Sequence, residues 1–223
     1  MSAVEATRRV RDAERSRRAI LEAAEAVFAE RGFPESTLSE IGRRAGLSRG
    51  APAFFFESKD NLYAEVIKRV FAERHEVLGP ALELARTVDA DEVSSRDALQ
   101  AALEAAVGSY IDFLASRPTF VRLMQWEALT DGQRLRAIPH ESSALERGLS
   151  ALAGKLPKGD GRGEAGQLLL SFVALCLLPF EHDTTLLPTL GVSATDGRFL
   201  RERKRHVVRL LLDHLTIDRA SAR

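Results

Sequence analysis

An all-α fold is predicted, and three observations predict it. Apolar residues recur at helical spacing along nearly all of the 223-residue chain. No stretch alternates as a half-buried strand would, and the periodic stretches are punctuated by helix caps and helix stops. No internal repeat is visible, and the count comes to about nine helices, with a boundary near residues 50 to 80.

Ile20, Ala23, Ala24, Val27 and Phe28 fall at i, i+3, i+4, i+7 and i+8, one apolar stripe of a first helix over about Asp12 to Arg31, ended by Gly32-Phe33-Pro34. Thr37 and Glu40 have capping-box spacing, which opens a second helix over Leu38 to Ala45. Gly46 can take the left-handed conformation that stops it, and Ser48 is a good N-cap for a third helix to about Phe55. Ser58 caps a longer fourth helix with Leu62, Val66, Ile67, Val70 and Phe71 inward, broken or kinked at Gly79-Pro80.

Ser94 to Ser116 carries Leu99, Leu103, Val107, Tyr110, Ile111 and Leu114 on a core face, and Pro118 restarts a helix that runs to Leu129. Ser142 or Ser143 opens another with Leu145, Leu149, Leu152 and Leu156. Residues 157–163 read as a loop by their glycine content, Glu164 to Leu178 is apolar on several faces, and Phe199 to Ile217 is a last amphipathic helix.

Composition narrows the classes. With 45% hydrophobic residues the chain can fill a core, which rules out wholesale disorder. The one cysteine, Cys176, can close no internal disulfide and supports no cysteine metal cage. The charged N-terminus does not resemble a secretory signal, and the longest near-continuous apolar run, Leu168 to Phe180, falls short of the roughly 17 residues of a bilayer span. A soluble, cytoplasmic protein with no membrane association is therefore expected. Lys and Arg (32) balance Asp and Glu (32), which argues against a uniformly basic nucleic-acid binder and leaves room for a local patch. Arg8, Arg9, Arg11, Arg15, Arg17 and Arg18, against Glu5, Asp12 and Glu14, form one.

Thr37 to Phe55, two short helices joined by a tight glycine-containing turn, have the size of a DNA-reading helix-turn-helix, although such hairpins are also common structural units. The residues themselves are more specific. Arg18-Ala-Ile-Leu-Glu-Ala-Ala-Glu-Ala-Val-Phe28, Glu30-Arg-Gly-Phe33, Thr37-Leu-Ser-Glu-Ile41, Ala45-Gly-Leu-Ser-Arg-Gly50, Phe56-Glu-Ser-Lys59 and Leu62 resemble the N-terminal signature of the tetracycline-repressor (TetR) family of regulators. The resemblance covers about Arg18 to Val66, in order and without gaps. Where family members most often have Tyr and His, this chain has Ala53 and Phe55, while Pro52 and Phe54 resemble a known variant of the pattern.

On this reading the third helix lies in the major groove. Arg49 is the candidate for bidentate contact with guanine, Ser48 donates to a phosphate or base, and Gly50 allows close backbone approach. Thr37 fits a phosphate clamp at a helix N-terminus, and Lys59 adds a phosphate-directed charge. Arg44 does likewise, with Arg43 beside it, one of the two being a plain solvated side chain. Ala53 and Phe54 complete the DNA-facing set, with Phe54 and Phe55 reading equally well as core or helix-end packing and Phe56 best read as packing. The tail arginines are expected to track the backbone or enter the minor groove.

The resemblance divides the chain into residues 1–60, an arm plus the DNA-binding helices; 61–79, a connecting helix; and 80–223, a ligand-sensing and dimerisation domain. It implies double-stranded DNA with a palindromic operator, a small-molecule effector and a second copy of the chain as partners, with repression as the family default. No cofactor, metal or catalytic group is expected. Tyr110, Phe113, Phe120, Met124, Trp126, His140, Phe172 and Cys176 are candidates for an apolar effector pocket, with ordinary core packing as the competing reading of the apolar ones. Leu168, Phe172, Leu175, Val207, Leu211 and Leu215 are the candidates for the dimer interface.

Rival motifs are weaker. Gly46 to Gly50 formally matches G-x-S-x-G, but a nucleophile elbow needs a strand before the serine. Gly161 to Gly166 matches G-x-G-x-x-G without a preceding strand, and Glu181-His182-Asp183 is best read as a solvated loop. The competing function is an all-α interaction protein whose helix-turn-helix is only packing.

Overall fold

The computed structural model describes residues 3–87, 96–138 and 161–221, which form nine α-helices and no strand. They are α1 (Ala3–Glu35), α2 (Leu38–Arg44), α3 (Ala51–Phe56), α4 (Lys59–Thr87), α5 (Arg96–Ser116), α6 (Pro118–Leu129), α7 (Gln133–Ala137), α8 (Gly161–Glu181) and α9 (Gly197–Ser221), with a short 3-10 helix at Leu187–Leu190. None of the described helices is long and apolar enough to cross a membrane. The chain divides into two compact units, one within Met1–Phe71 and Arg122–His140, the other within Ala72–Val121 and Glu141–Arg223. Helices α4 and α6 each begin in one unit and end in the other.

The first unit is built on the stripe of α1. Ile20, Ala24, Val27 and Phe28 are fully buried, as are Ile41 on α2 and Leu62, Val66 and Ile67 on α4. Each large side chain buried this way contributes about 1.5–3 kcal/mol. Phe28 and Phe33 both meet the Tyr63 ring edge-on, at 5.0 and 5.2 Å between centroids. Helix α1 starts at Ala3, well before the expected Asp12, because its Ala-, Glu- and Arg-rich start favours helix. The basic tail is therefore helical, with an Arg15–Asp12 pair at 3.3 Å one turn apart.

The caps follow the sequence in part. Thr37 Oγ1 accepts the Glu40 N–H at 3.2 Å, but the reciprocal half of the capping box is absent, since the Glu40 carboxylate pairs with Arg31 at 3.1 Å. Ser58 Oγ accepts the Asn61 N–H at 3.1 Å and starts α4. Helix α3 starts after Gly50 with no side-chain cap, so Ser48 does not play the expected capping role. Gly79-Pro80 does not end α4, which continues to Thr87.

In the second unit α5 packs against α8 and α9. Val107, Ile111 and Leu114 of α5, Cys176 of α8 and Val207, Leu211 and Leu215 of α9 are all buried. Pro179 lies inside α8 and has no N–H to offer the Leu175 carbonyl four residues back. Arg203 of α9 takes that vacant place, donating from Nε at 3.0 Å and Nη2 at 2.6 Å to the Leu175 oxygen. Pro118 opens α6 as predicted. Helix α7 and the 3-10 turn were not predicted, and α8 begins at Gly161, inside the expected loop. The helix expected over residues 142–156 lies outside the described residues.

Candidate nucleic-acid interface

The α2–α3 hairpin is set by two glycines. Gly46, at φ +71°, turns the chain out of α2. Gly42 is buried inside α2, and a Cβ there would lie 2.5 Å from the Ser48 carbonyl oxygen and 3.1 Å from Pro52 Cδ. Only a bare Cα allows the turn to close on α2, and the Leu47 N–H then donates to the Gly42 carbonyl at 2.9 Å. Spacing alone did not single out Gly42. Its signal is contact between residues six to ten apart.

With the turn closed, α3 has an inner and an outer face. Pro52 and Phe56 are buried, and the Arg17 guanidinium lies 4.9 Å from the Phe56 ring centroid. Ser48, Arg49, Gly50 and Ala53 are exposed. Phe54 is 83% exposed, an unusual position for a large apolar ring, and Phe55 is half-buried edge-on to it at 5.3 Å. Among the described residues the Arg49 and Arg43 side chains make no ion pair or hydrogen bond, and both residues are exposed.

Two expected phosphate contacts are placed differently. Lys59 Nζ donates to the carbonyls of Phe33 and Ser36 at 2.9 Å each and to Pro34 at 3.4 Å, and lies 4.3 Å from the Phe33 ring centroid. The interrupted end of α1, where Gly32 sits at φ +71°, leaves carbonyls without helix partners, and Lys59 satisfies them. Its charge is turned inward, a correction to its expected role. Arg44 makes two hydrogen bonds of 2.5 Å to the Glu30 carboxylate, which hold that carboxyl below the usual range. Of the neighbouring pair, Arg43 is the one left open. Thr37 remains exposed at the N-terminus of α2. In the basic tail Arg8, Arg11, Arg15 and Arg18 are exposed, whereas Arg17 pairs with Glu65 at 2.9 Å.

Buried contacts with α6 and α7 hold this hairpin's support. Tyr63 donates to Glu127 Oε1 at 2.6 Å, and the Leu135 N–H donates to Oε2 at 3.0 Å. Burial and that carboxylate push the Tyr63 hydroxyl far above its ordinary range. Trp126 Nε1 donates to the Ala29 carbonyl at 3.1 Å, and its ring would lie 2.9 Å from a Cβ on Gly32. Trp126, expected in a pocket, is thus a support beneath the end of α1.

The second unit holds a cavity of about 300 Å3, walled by Arg74, Leu78 and Ala81 of α4, Ala106 and Tyr110 of α5, and Gly166, Leu169, Leu170, Phe172 and Val173 of α8. Of the expected pocket residues, Tyr110 and Phe172 are in its wall, stacked at 5.6 Å. Phe113, Phe120 and Cys176 are buried in the same unit's core, Met124 and Trp126 belong to the first unit, and His140 lies outside the described residues. The expected dimer contacts need a similar correction. Leu168, Val207, Leu211 and Leu215 are at most 6% exposed within the single chain, and Phe172 and Leu175 are half-buried. The α9 stripe packs in its own core. Leu170 (63% exposed) and Leu178 (41%) on α8, with Leu210 (42%) on α9, are left outside.

Asp183 closes the loop after α8, its Oδ1 accepting the Ser193 hydroxyl at 3.0 Å and the Ala194 N–H at 2.6 Å. Among the described residues no three His, Cys, Asp or Glu side chains gather as metal ligands.

Residues 20–66 match the profile of bacterial regulatory proteins of the tetR family, and residues 100–211 match that of a tetracyclin repressor-like C-terminal domain. The HTH-type transcriptional repressor SCO4008 of Streptomyces coelicolor is 25% identical over 91% of this chain and 98% of its own length. The HTH-type transcriptional repressor BepR of Brucella suis is 45% identical over 30% of this chain; that match spans 32% of the Brucella protein. The regulator SrpR of Pseudomonas putida is 36% identical over 40% of this chain, and 41% of its own length is spanned. A TetR-like transcriptional regulator from Rhodococcus superposes with a TM-score of 0.59 at 22% identity, over 90% of this chain and 96% of that one. A transcriptional regulator from Aquifex aeolicus gives 0.56 at 20%, over 88% and 99%.

Proposed function

The chain belongs to the tetracycline-repressor family of bacterial transcriptional regulators, and we propose that it works as a homodimeric repressor released from a palindromic operator by a small, largely apolar effector. Relatives named as repressors support the sign of regulation. The observation that carries DNA reading is the outer face of α3, where a bare guanidinium, a bare phenyl ring and small residues are presented together. The major groove admits one helix, and those groups suit guanine acceptors and thymine methyls.

In this reading Arg49 contacts a base edge, Ser48 and Gly50 bring the turn against the backbone, and Ala53 and Phe54 meet apolar base surface. Thr37 and the free N–H groups of α2 clamp a phosphate, with Arg43 beside them. Arg44 takes part only by exchanging Glu30 for a phosphate, and Lys59 acts as a support. Residues 1–60 serve as the reading part, 61–79 as the connector and 80–223 as the sensing and dimerisation part. The exposed tail arginines, carried on a helix, follow the phosphate backbone. The α4–α5–α8 cavity holds the effector.

An effector shifts operator affinity only by binding one state better than the other. Helix α6 joins α4 as a route for that preference, since its first turn lies in the effector unit while Trp126 and Glu127 support the reading unit. A gel shift with DNA flanking the chain's own gene tests this proposal. Retardation is expected, and it should weaken with an apolar or aromatic compound. Should none of a broad panel alter operator affinity or melting temperature, effector control is lost and DNA reading alone stands.

A further inference from the structure

Resting on the DNA-reading face proposed above, we infer that Phe54 reads the C5-methyl group of a pyrimidine in the major groove, which makes operator recognition sensitive to that methyl on thymine and on 5-methylcytosine alike. Phe54 is 83% exposed, and no large apolar side chain among the described residues is more so. Its ring meets one other, Phe55, edge-on at 5.3 Å. The packing of α3 does not need it, because Pro52 and Phe56 are the residues buried on the inner face of that helix.

A phenyl ring left in water forgoes the stabilisation of burial, so its position is what gives it a partner. The Phe54 N–H donates to the Gly50 carbonyl at 3.1 Å, which places Phe54 one helical turn beyond Gly50, with exposed Arg49 and Ala53 on the same short segment. Nothing lies within 4 Å of where a Cβ on Gly50 would be, so the approach to this end of α3 is open. A phenyl ring offers no N–H or O–H, so it hydrogen-bonds neither a phosphate nor a base edge. In the major groove the apolar group that sets one base apart from the others is the thymine C5-methyl. Arg49 suits guanine acceptors and Phe54 suits the methyl, so one short helix reads two kinds of base pair. Cytosine lacks that methyl, and 5-methylcytosine carries it at the same ring position, so the contact follows the methyl rather than the base. Apolar wedges that unstack base steps work from the minor groove, whereas the second helix of a helix-turn-helix enters the major groove.

Fluorescence anisotropy on an operator enriched from random duplexes, with each thymine in turn replaced by deoxyuridine, tests the inference. Deoxyuridine removes the methyl and keeps the base pair. At one thymine of each half-site it should weaken binding about three- to five-fold, as expected for one buried methyl. Phe54→Ala should weaken the thymine operator by about that factor or more, leave the melting temperature unchanged, and bind the thymine and deoxyuridine duplexes alike. Phe54→Leu should keep part of the discrimination. With a C·G pair at the same position, methylation of the cytosine at C5 should tighten binding about three- to five-fold in the unmutated protein and leave Phe54→Ala unaffected. A loss on deoxyuridine that is the same in Phe54→Ala as in the unmutated protein means that another residue reads the methyl, and it overturns the inference. Indifference to deoxyuridine at every thymine also overturns it, while DNA reading by α3 stands. Failure to enrich any operator overturns the proposed DNA reading itself, and this inference with it.

Discussion

Arg49 and Lys59 look alike on paper, two cations flanking a short helix, and the structure gives them opposite duties. Arg49 is exposed and makes no described contact, so Arg49→Ala should leave the melting temperature alone. It should cost about 1–3 kcal/mol of operator affinity and relax preference at one base position. Lys59 satisfies three backbone carbonyls, so Lys59→Ala should lower stability by about 1–3 kcal/mol and weaken DNA binding without changing which sequences are preferred. Thermal melts with anisotropy titrations on the operator and its single-base variants separate the two, and uniform losses for Arg49→Ala would reduce it to a phosphate contact. Cys176 makes a pH prediction. It is fully buried, and burial pushes its thiol up to about 12, against an ordinary value of about 8.5. The folded state therefore keeps a proton that the unfolded chain loses first, so this contribution to stability is complete below about pH 8.5 and falls as the pH rises from there toward 12. At pH 8 iodoacetamide should label Cys176 only at the rate of unfolding. Rapid labelling of the folded protein would contradict its burial.

The hairpin depends on close approach more than on buried area. Gly42→Ala places a methyl 2.5 Å from the Ser48 carbonyl, where backbone must move, so a loss of about 1–3 kcal/mol or more is expected together with loss of operator binding. Gly46→Ala, with nothing within 4 Å but a φ of +71°, should cost about 1 kcal/mol and preserve binding. Equal behaviour of the two in melts and gel shifts would mean that contact with the turn does not set the angle of α3. These glycines also show where sequence reading stops. Helices announced by local chemistry, such as the Thr37 cap, the Gly46 stop and the Pro118 start, lie where they were expected. The DNA-facing candidates of α3 were legible too, because a short helix with Pro52 and Phe56 inward leaves Arg49, Ala53 and Phe54 outward. What local chemistry cannot carry is partnership at long range. The demand of the Phe33 and Ser36 carbonyls on Lys59, Trp126 against Gly32 and the burial of Val207, Leu211 and Leu215 in the chain's own core all depend on residues far away in sequence.

A reading hairpin this small touches little DNA, so tight specific binding calls for two copies on a palindrome. For the proposed dimer, a candidate pairing surface among the described residues is the outer stripe of α8, with Leu170, Ala174 and Leu178 at helical spacing, and Leu210 of α9 beside exposed arginines suited to a rim. Leu178→Glu combined with Leu210→Glu should convert a dimer to monomer in light scattering without unfolding it. A pair that stays dimeric would move the interface elsewhere. DNA reading by the α3 face is the claim on which the rest stands, and its most direct measurement is fluorescence anisotropy over a range of salt. It would use an operator selected from random duplexes and a scrambled duplex of the same length. The expected result is a palindromic selected site bound by two chains, at least about 1,000-fold tighter than the scrambled duplex, with Arg49→Ala closing much of that gap. Equal affinity for both duplexes at every salt concentration would contradict it.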